Sequence, residues 1–357
     1  MVVHEFGALN FRNYRELFVR FSDQVNVLLG LNGQGKSNLV EGIYFINHLE
    51  SFRTHQLDLL VMAGESAAQV QGTVSNDGIE RKVRVEVSRR GRKVWLDEAP
   101  VAKLSEYVSR FFALIFNPDS LYLYRHFPLE RRWFFNRYLS FVDPAYLHLI
   151  REFRVVHAQK NKLLKQGDLA SLPAWNELFA AKSYAILARR TALVEAINRA
   201  LPEVFRRLTG QEEPLRMELH ASLKGQPAQA LDALRRAQDN EARMGFALLG
   251  PHRDDFRMVL GTGRREAVFS QGEYRTALLA LKLSLGRLLE TERGFVPVLV
   301  LDDVFSELDA TRRQRLAEYL LPLRNQVFIT ATEPLESFHV PAARIMEIRA
   351  GHVVAER

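Results

Sequence analysis

Eight consecutive residues, Gly30-Leu31-Asn32-Gly33-Gln34-Gly35-Lys36-Ser37, carry the most legible chemistry in this chain of 357 residues. They read G-x-x-x-x-G-K-[ST], the spacing of a loop that cradles phosphates. Glycines let the backbone curl until its N–H groups converge on a polyphosphate, a shape that side chains would block. Lys36 would place a point charge on the outer phosphates, and Ser37 would offer an oxygen to Mg²⁺. Gly30, Asn32, Gly33, Gly35 and Asn38 complete the expected nucleotide contacts. A second acidic element lies far downstream, where the apolar run from Val296 to Leu301 ends in Asp302-Asp303. Asp302 is placed to hold Mg²⁺ beside Ser37, and Asp303 to orient or deprotonate an attacking water. A third element, Ser270-Gln271-Gly272-Glu273, opens a long apolar helix. Its Ser, Gly and free helix amides are phosphate-seeking donors. The same four residues also describe an ordinary N-cap with Glu three positions later. Two phosphate-binding elements but a single loop point to the second serving another copy of the chain.

These residues need particular elements to position them. Val25 to Leu29 is a short aliphatic run that predicts a buried strand, and Asn38 to Ile46 has helical apolar spacing. Strand, glycine turn and helix give the loop its required context. From Val2 to Leu29 the pattern predicts two short strands around the turn Phe11-Arg12-Asn13-Tyr14-Arg15. Arg12 and Asn13 are candidates to touch the nucleotide, with a plain surface turn as the alternative. Between Ala67 and Leu96 alternation and the Asn76-Asp77-Gly78 turn predict antiparallel β-structure. In the run from Arg81 to Val87 valines alternate with charges, so the charges are expected on one solvent face. Arg81, Lys82, Arg84, Arg89, Arg90 and Arg92 form a candidate basic DNA-binding face, against the alternative of simple solvation.

From about Pro118 to Leu234 the sequence is helical in character, punctuated by Pro173, Pro202, Pro214 and Pro227. Clusters such as Arg151-Glu152-Phe153-Arg154 read there as helix surface. The last third returns to α/β alternation, with a second strand over Asn325 to Thr330. The loop strand and the Asp-terminated strand are expected as neighbours in one sheet. The fold class is therefore α/β: a P-loop head, 1–117 and 245–357, with an antiparallel β subdomain and a helical insertion, 118–244.

Composition narrows the function. The absence of cysteine excludes disulfides, thiol catalysis and thiolate metal sites. No apolar run approaches a membrane span, and the first residues lack a signal-peptide pattern, so a cytoplasmic protein is expected. A net charge of +7, from 49 basic and 42 acidic residues, favours a polyanionic partner.

The combination resembles the RecF family of DNA-repair ATPases, with their ABC/SMC-type head. Gly30 to Ser37 matches its Walker A loop, Leu301 to Asp309 its Walker B and D-loop, and Ser270 to Glu273 its signature. Phe11-Arg12-Asn13-Tyr14, Gly250-Pro251-His252-Arg253-Asp254-Asp255 and Gln159-Lys160-Asn161 are similar to further blocks of that family. There are departures: Glu273 stands where Gln is common, Phe116-Asn117-Pro118-Asp119 carries no Q-loop Gln, and no switch His follows Thr330. Thr330 or Thr332 is the candidate for that last role. The resemblance implies ATP and Mg²⁺ as cofactors and a homodimer in which Ser270 and Gly272 close on the partner's γ-phosphate. It also implies binding to double-stranded DNA at gap junctions, slow ATP turnover, and action with RecR and RecO to load RecA. A small-molecule phosphotransferase and a transporter-associated ATPase subunit are the competing readings, and neither accounts for both the signature and the insertion.

Overall fold

Backbone pairing organises the first hundred residues of the computed structural model, which describes residues 1–104, 107, 110–261, 263–334 and 343–356. Strands β1 (Val2–Phe11) and β2 (Tyr14–Arg20) form a hairpin, and β3 (Val25–Leu29) then leaves it for another sheet. The stretch read as two strands is thus three. Helix α1 (Lys36–His48) follows, and then β4 (Ala67–Asn76), β5 (Ile79–Ser88), β6 (Gly91–Leu96), β7 (Ala99–Pro100) and β8 (Ala113–Phe116). The antiparallel sheet has the order β2-β1-β4-β5-β6-β7. Its β4–β5 turn places Asp77 and Gly78 at φ 51° and 75°, the paired positive values of a hairpin turn that matches strand twist.

Contacts divide the chain into two units: Met1–Tyr122 with Arg206–Gln211 and Leu278–Arg357, and Leu123–Phe205 with Glu212–Ala277. The second unit is built largely from α3 (Pro128–Val142), α4 (Pro144–Gln166), α5 (Leu172–Thr209) up to Phe205, and α6 (Pro227–Met244), while α2 (Pro118–His126) leads into it from the first unit. It also holds β9 (Leu215–His220), β10 (Asp255–Leu260) and β11 (Arg264–Arg265), in the order β11-β10-β9, and the start of α7 (Gln271–Arg293). The helical segment of the sequence therefore carries a small sheet of its own, and its unit extends to Ala277 rather than ending at 244. Pro202 lies inside α5 instead of ending it. Leu201, Val204 and Phe205 around it are buried, and their packing outweighs the roughly 3 kcal/mol cost of an internal proline.

In the first unit the chain returns through β12 (Val298–Leu301), α8 (Ala310–Leu320), β13 (Val327–Ala331), β14 (Arg344–Arg349) and β15 (His352–Glu356). The second large sheet has the order β15-β14-β3-β13-β12-β8, parallel except for β15. Every residue of β8, β12 and β13 is buried, which explains their unbroken apolar runs. The loop strand β3 and the Asp-ended β12 share this sheet but are not adjacent, because β13 runs between them. Helix α1 packs on β1 and β4 of one sheet and on β8 and β13 of the other. Covered by both sheets, it is buried nearly all round, and Gly42 lets it approach Phe6, whose ring would meet an added Cβ at 2.4 Å.

The core of the second unit is unusually ionic. Arg190 meets Asp254 at 2.6 Å, Arg131 meets Asp255 at 2.7 Å, and Lys160 meets Glu241 at 2.8 Å, all of them buried. His157 and His252 stack at 4.1 Å beside Phe153 and Phe179. Burial, with His157 as neighbour, lowers the His252 pKa from 6.5 to about 4. A histidine with a depressed folded pKa adds stability above its unfolded pKa and loses it as pH falls. Thermal melts of the wild type are expected to lose stability between pH 6.5 and 4, and His252→Gln to show a shallower fall; identical pH profiles would count against this burial.

Candidate functional site

The site is assembled in the first unit at the C-terminal ends of parallel strands. Gly30, at φ 153°, follows β3, and a Cβ there would stand 2.3 Å from the Ile348 carbonyl oxygen. Gly35, at φ 117°, caps α1, and a Cβ there would meet Asn13 Nδ2 at 2.7 Å and Tyr14 Oη at 2.9 Å. The loop is thus packed too closely for side chains at both ends. Asn13 Nδ2 donates to the Gln34 carbonyl at 3.3 Å, and Tyr14 Oη to the Gly35 carbonyl at 2.9 Å. Gln34 in turn accepts from the Ala350 and Gly351 amides at 2.7 and 2.9 Å, which ties the loop to the β14–β15 turn.

Lys36 Nζ donates to the Gly30 and Leu31 carbonyls at 2.6 and 3.0 Å. Burial lowers its pKa, while Asp303 and Asp302 pull the other way. Ser37 Oγ donates to Asp302 Oδ1 at 2.9 Å, across 265 residues of sequence. Thr330, delivered by β13, donates its hydroxyl to the same oxygen at 2.8 Å and accepts the Asp303 amide at 2.8 Å. Burial raises the Asp302 pKa, and the hydrogen bonds from Thr330 and Ser37 oppose the rise. Asp303 has φ 55°, and its carboxylate accepts from Ser306 Oγ at 2.8 Å. Of the two threonines expected there, Thr330 lies within β13 and contacts both aspartates, whereas Thr332, just past the strand, is exposed.

A cavity of about 210 Å³ is lined by Asn32, Gly33, Gly35, Lys36, Ser37, Asn38, Arg53, Asp303 and Thr330. Arg53 is the member that sequence reading missed. Its Nη1 donates to Asn38 Oδ1 at 2.7 Å and stands 3.5 Å from Glu41, but no glycine or spacing signal marks it. Arg12 does not line this cavity: its guanidinium makes two bonds to the buried Glu41, at 2.8 and 2.6 Å, and a third to the Leu59 carbonyl at 2.7 Å. Asn117, in the segment without a Q-loop Gln, is buried after β8; the side chain of Asp119 lies outside the described residues.

Ser270 and Gly272 belong to the second unit and open α7. Ser270 Oγ accepts the Glu273 amide at 3.2 Å, and Glu273 accepts the Ser270 amide at 2.8 Å, a reciprocal cap. Arg264 reinforces it with a bond of 2.9 Å to Glu273. Glu273, which departs from the usual Gln, therefore works as a capping carboxylate, and Ser270 is exposed.

The basic run on β5 and β6 does not occupy one face. Arg81 is registered opposite the buried Val74, and Arg92 opposite the buried Val87. Arg81 pairs with Asp97 at 2.5 Å, and Arg92 donates to the Leu49 carbonyl. Lys82 and Arg84 are on the other face, where Arg84 lies 4.2 Å from the Trp95 ring centroid. Arg89 and Arg90 are exposed in the turn. Period-two alternation starting at Lys82 assigns these faces, and it puts Arg81 and Arg92 on the face of the buried valines rather than on the expected solvent face.

A strand–glycine loop–helix unit facing an acidic strand end, with an antiparallel subdomain and a second helical unit, defines a P-loop ATPase head of the ABC/SMC kind. Residues 2–348 match the family of the RecF/RecN/SMC N terminal domain, and the chain belongs to it. Within that class it is a member of the RecF family. It is 34% identical to the DNA replication and repair protein RecF of Lactobacillus delbrueckii subsp. bulgaricus, over 99% of this chain and 97% of that protein. It is 31% identical to RecF of Geotalea daltonii, with 93% of each chain covered. A solved structure of the recombination mediator protein RecF with ATP, from the RecFOR pathway, superposes with a TM-score of 0.88 at 27% identity, covering 100% of this chain and 97% of the other. An SMC head bound to the C-winged helix domain of ScpA shares the fold, with a TM-score of 0.62 at 17% identity and coverage of 100% and 98%. Among the described residues no helix is long and apolar enough to cross a membrane.

Asp302→Asn keeps an oxygen that accepts from Ser37 and Thr330 but removes a buried charge whose pKa is raised by burial. A group with a raised folded pKa costs stability once pH rises above it. Calorimetry at pH 7.5 is expected to give Asp302→Asn a melting temperature at or above wild type; a clear drop would contradict this reading of the carboxylate.

Proposed function

We propose that this chain is an ATP-dependent DNA-binding switch: a recombination and repair mediator that dimerises on ATP, binds duplex DNA near single-strand gaps, and helps RecR and RecO load RecA. Its turnover is slow and stimulated by DNA, and it acts in the cytoplasm. The observation that carries the reading is the convergence of Ser37, Thr330 and Lys36 on the acidic end of β12. The names and contents of the related proteins support it, since RecF is called a DNA replication and repair protein and has been solved with ATP.

The donor set suits magnesium and a triphosphate. The glycine loop has no room for side chains at Gly30 and Gly35, and Lys36 holds carbonyl oxygens that phosphate oxygens would replace. Among the described residues no group of three His, Asp or Glu could hold a metal by itself. Ser37 and Asp302 would supply protein oxygens, and phosphates and water the rest, which is how Mg²⁺ is usually bound. Bound there, the ion would supply positive charge against that of the phosphates. Asp303, steadied by Ser306 and Thr330, would orient the attacking water and accept its proton. Gly30, Asn32, Gly33, Gly35 and Asn38 would line the phosphates, with Arg53 adding charge and Arg12 and Asn13 supporting the loop from behind.

Ser270 and Gly272 of one copy would complete the grip on a triphosphate held by the other. A nucleotide shared in this way stabilises the dimer by linkage, so hydrolysis releases it. Analytical ultracentrifugation is expected to show a dimer with ATP for wild type and Asp303→Asn, and a monomer for Lys36→Met and Ser270→Arg. Lys36→Met should also lose about 10²–10³ in turnover, the scale for removing one preorganised transition-state contact. An Asp303→Asn protein that stays monomeric at saturating ATP would overturn the shared-site reading.

A further inference from the structure

The exposed face of α4 carries an electrostatic pattern that the site above does not use. Between Pro144 and Gln166 this helix has one carboxylate, Glu152, and five Lys or Arg: Arg151, Arg154, Lys160, Lys162 and Lys165. Glu152 is already paired with Lys182 at 2.5 Å, and His148 lies 3.0 Å from it. Lys160 is buried and paired with Glu241. Arg151, Arg154, Lys162 and Lys165 are all exposed, and none has an ion pair or side-chain hydrogen bond among the described residues. At ~100° per residue these four, with Val155 and Ala158, fall within an arc of roughly 100°. The opposite face, Tyr146, Ile150, Phe153, Val156, Leu163 and Leu164, is buried.

We propose that this stripe of α4 is a contact line for the phosphate backbone of duplex DNA. Arg151 and Lys165 are ~21 Å apart at ~1.5 Å per residue, so the cations form a line rather than a cluster. Like charges three residues apart, as in Arg151/Arg154 and Lys162/Lys165, repel and weaken a helix. The arrangement is therefore not explained by stability of the helix itself. No exposed aromatic side chain lies on the stripe to anchor a protein partner, the usual centre of a protein interface. A row of equal positive charges around small apolar residues matches a regular polyanion, which it would position without reading sequence. The assignment rests on the DNA-binding reading given above and adds where the duplex lies.

The test is fluorescence anisotropy of the full chain on a gapped duplex, with and without ATP, between 50 and 200 mM salt. Four neutralised phosphates give a slope in log K against log salt of about 3.6 in magnitude. The variant R151Q/R154Q/K162Q/K165Q should therefore lose roughly 150-fold less affinity than wild type across that range, and bind more weakly at 50 mM. Its melting temperature should equal or exceed that of wild type, and R151K/R154K should keep wild-type binding. A quadruple variant with wild-type affinity and slope removes α4 as the contact line, and if it has also lost binding to polyglutamate the face belongs to an acidic protein instead. A wild-type chain that binds no duplex in either condition overturns the DNA reading itself.

Discussion

A carboxylate with 6% of its residue surface exposed, at the end of three neighbouring parallel strands, sets the terms for the rest of the first unit. Asp302 is withdrawn from water, and two hydroxyls donate to the same one of its oxygens, at 2.9 and 2.8 Å. Hydroxyls only partly compensate a buried negative charge. The arrangement works only if the ends of β3, β13 and β12 coincide, because each supplies or precedes one of the three partners. Parallel strands cannot be joined by tight turns. The chain must therefore leave the sheet between Ser37 and Asp302, and strands β4 to β7 of the antiparallel sheet and the second unit fall in that interval.

Holding the loop in register is a second task, done mainly by residues that do not line the cavity. Glu41 has no exposed side-chain surface, yet it receives Arg12, Ser51 and, at longer range, Arg53. Arg12 has φ 55° at the tip of the first hairpin, which aims its side chain at α1. Asn13 and Tyr14 then reach the loop backbone directly. The Phe-Arg-Asn-Tyr block is thus a brace between the antiparallel sheet and the first turn of α1. Its position just before the glycine loop in sequence gives no hint of whether it touches phosphate or protein.

The legible features were those set by local rules. Glycine and lysine spacing, an apolar strand ending in Asp-Asp, and an Asn-Asp-Gly turn each have a local physical cause, and all three are found where the residues indicate. The features that stayed hidden depend on partners distant in sequence. That β13 separates β3 from β12 is a property of sheet order, which no strand encodes alone. β9 is six residues long and follows Pro214 after the 38-residue helix α5, so the helical rhythm around it masks its alternation. Pro202 reads locally as a helix breaker, and the burial of Leu201, Val204 and Phe205 that overrides it is set by tertiary packing. Arg53 reaches the cavity beside the glycine loop only because the segment after α1 folds back.

Ionic residues in the two units show how burial separates structural charge from chemical charge. The Gly-Pro-His-Arg-Asp-Asp block looks as reactive as the Asp-Asp of β12. Yet Asp254 is closed off by Arg190 and Asp255 by Arg131 and Arg257, whose hydrogen bonds outweigh burial and keep the Asp255 pKa below the usual range. Lys160 of the Gln-Lys-Asn block is likewise matched by Glu241, and Asn161 accepts the Ala247 amide at 2.8 Å. Removing one partner of such a pair leaves an uncompensated buried charge, at a cost of about 3–5 kcal/mol, so these blocks are fixed by folding. Asp302 differs in kind. It is as buried as they are and has hydroxyl donors but no direct ion pair among the described residues, and those donors, Ser37 and Thr330, line a cavity with Lys36 and Arg53. Burial with hydroxyl donors alone, behind a cavity that also carries two cationic side chains, sets this carboxylate apart from the paired ones of the second unit.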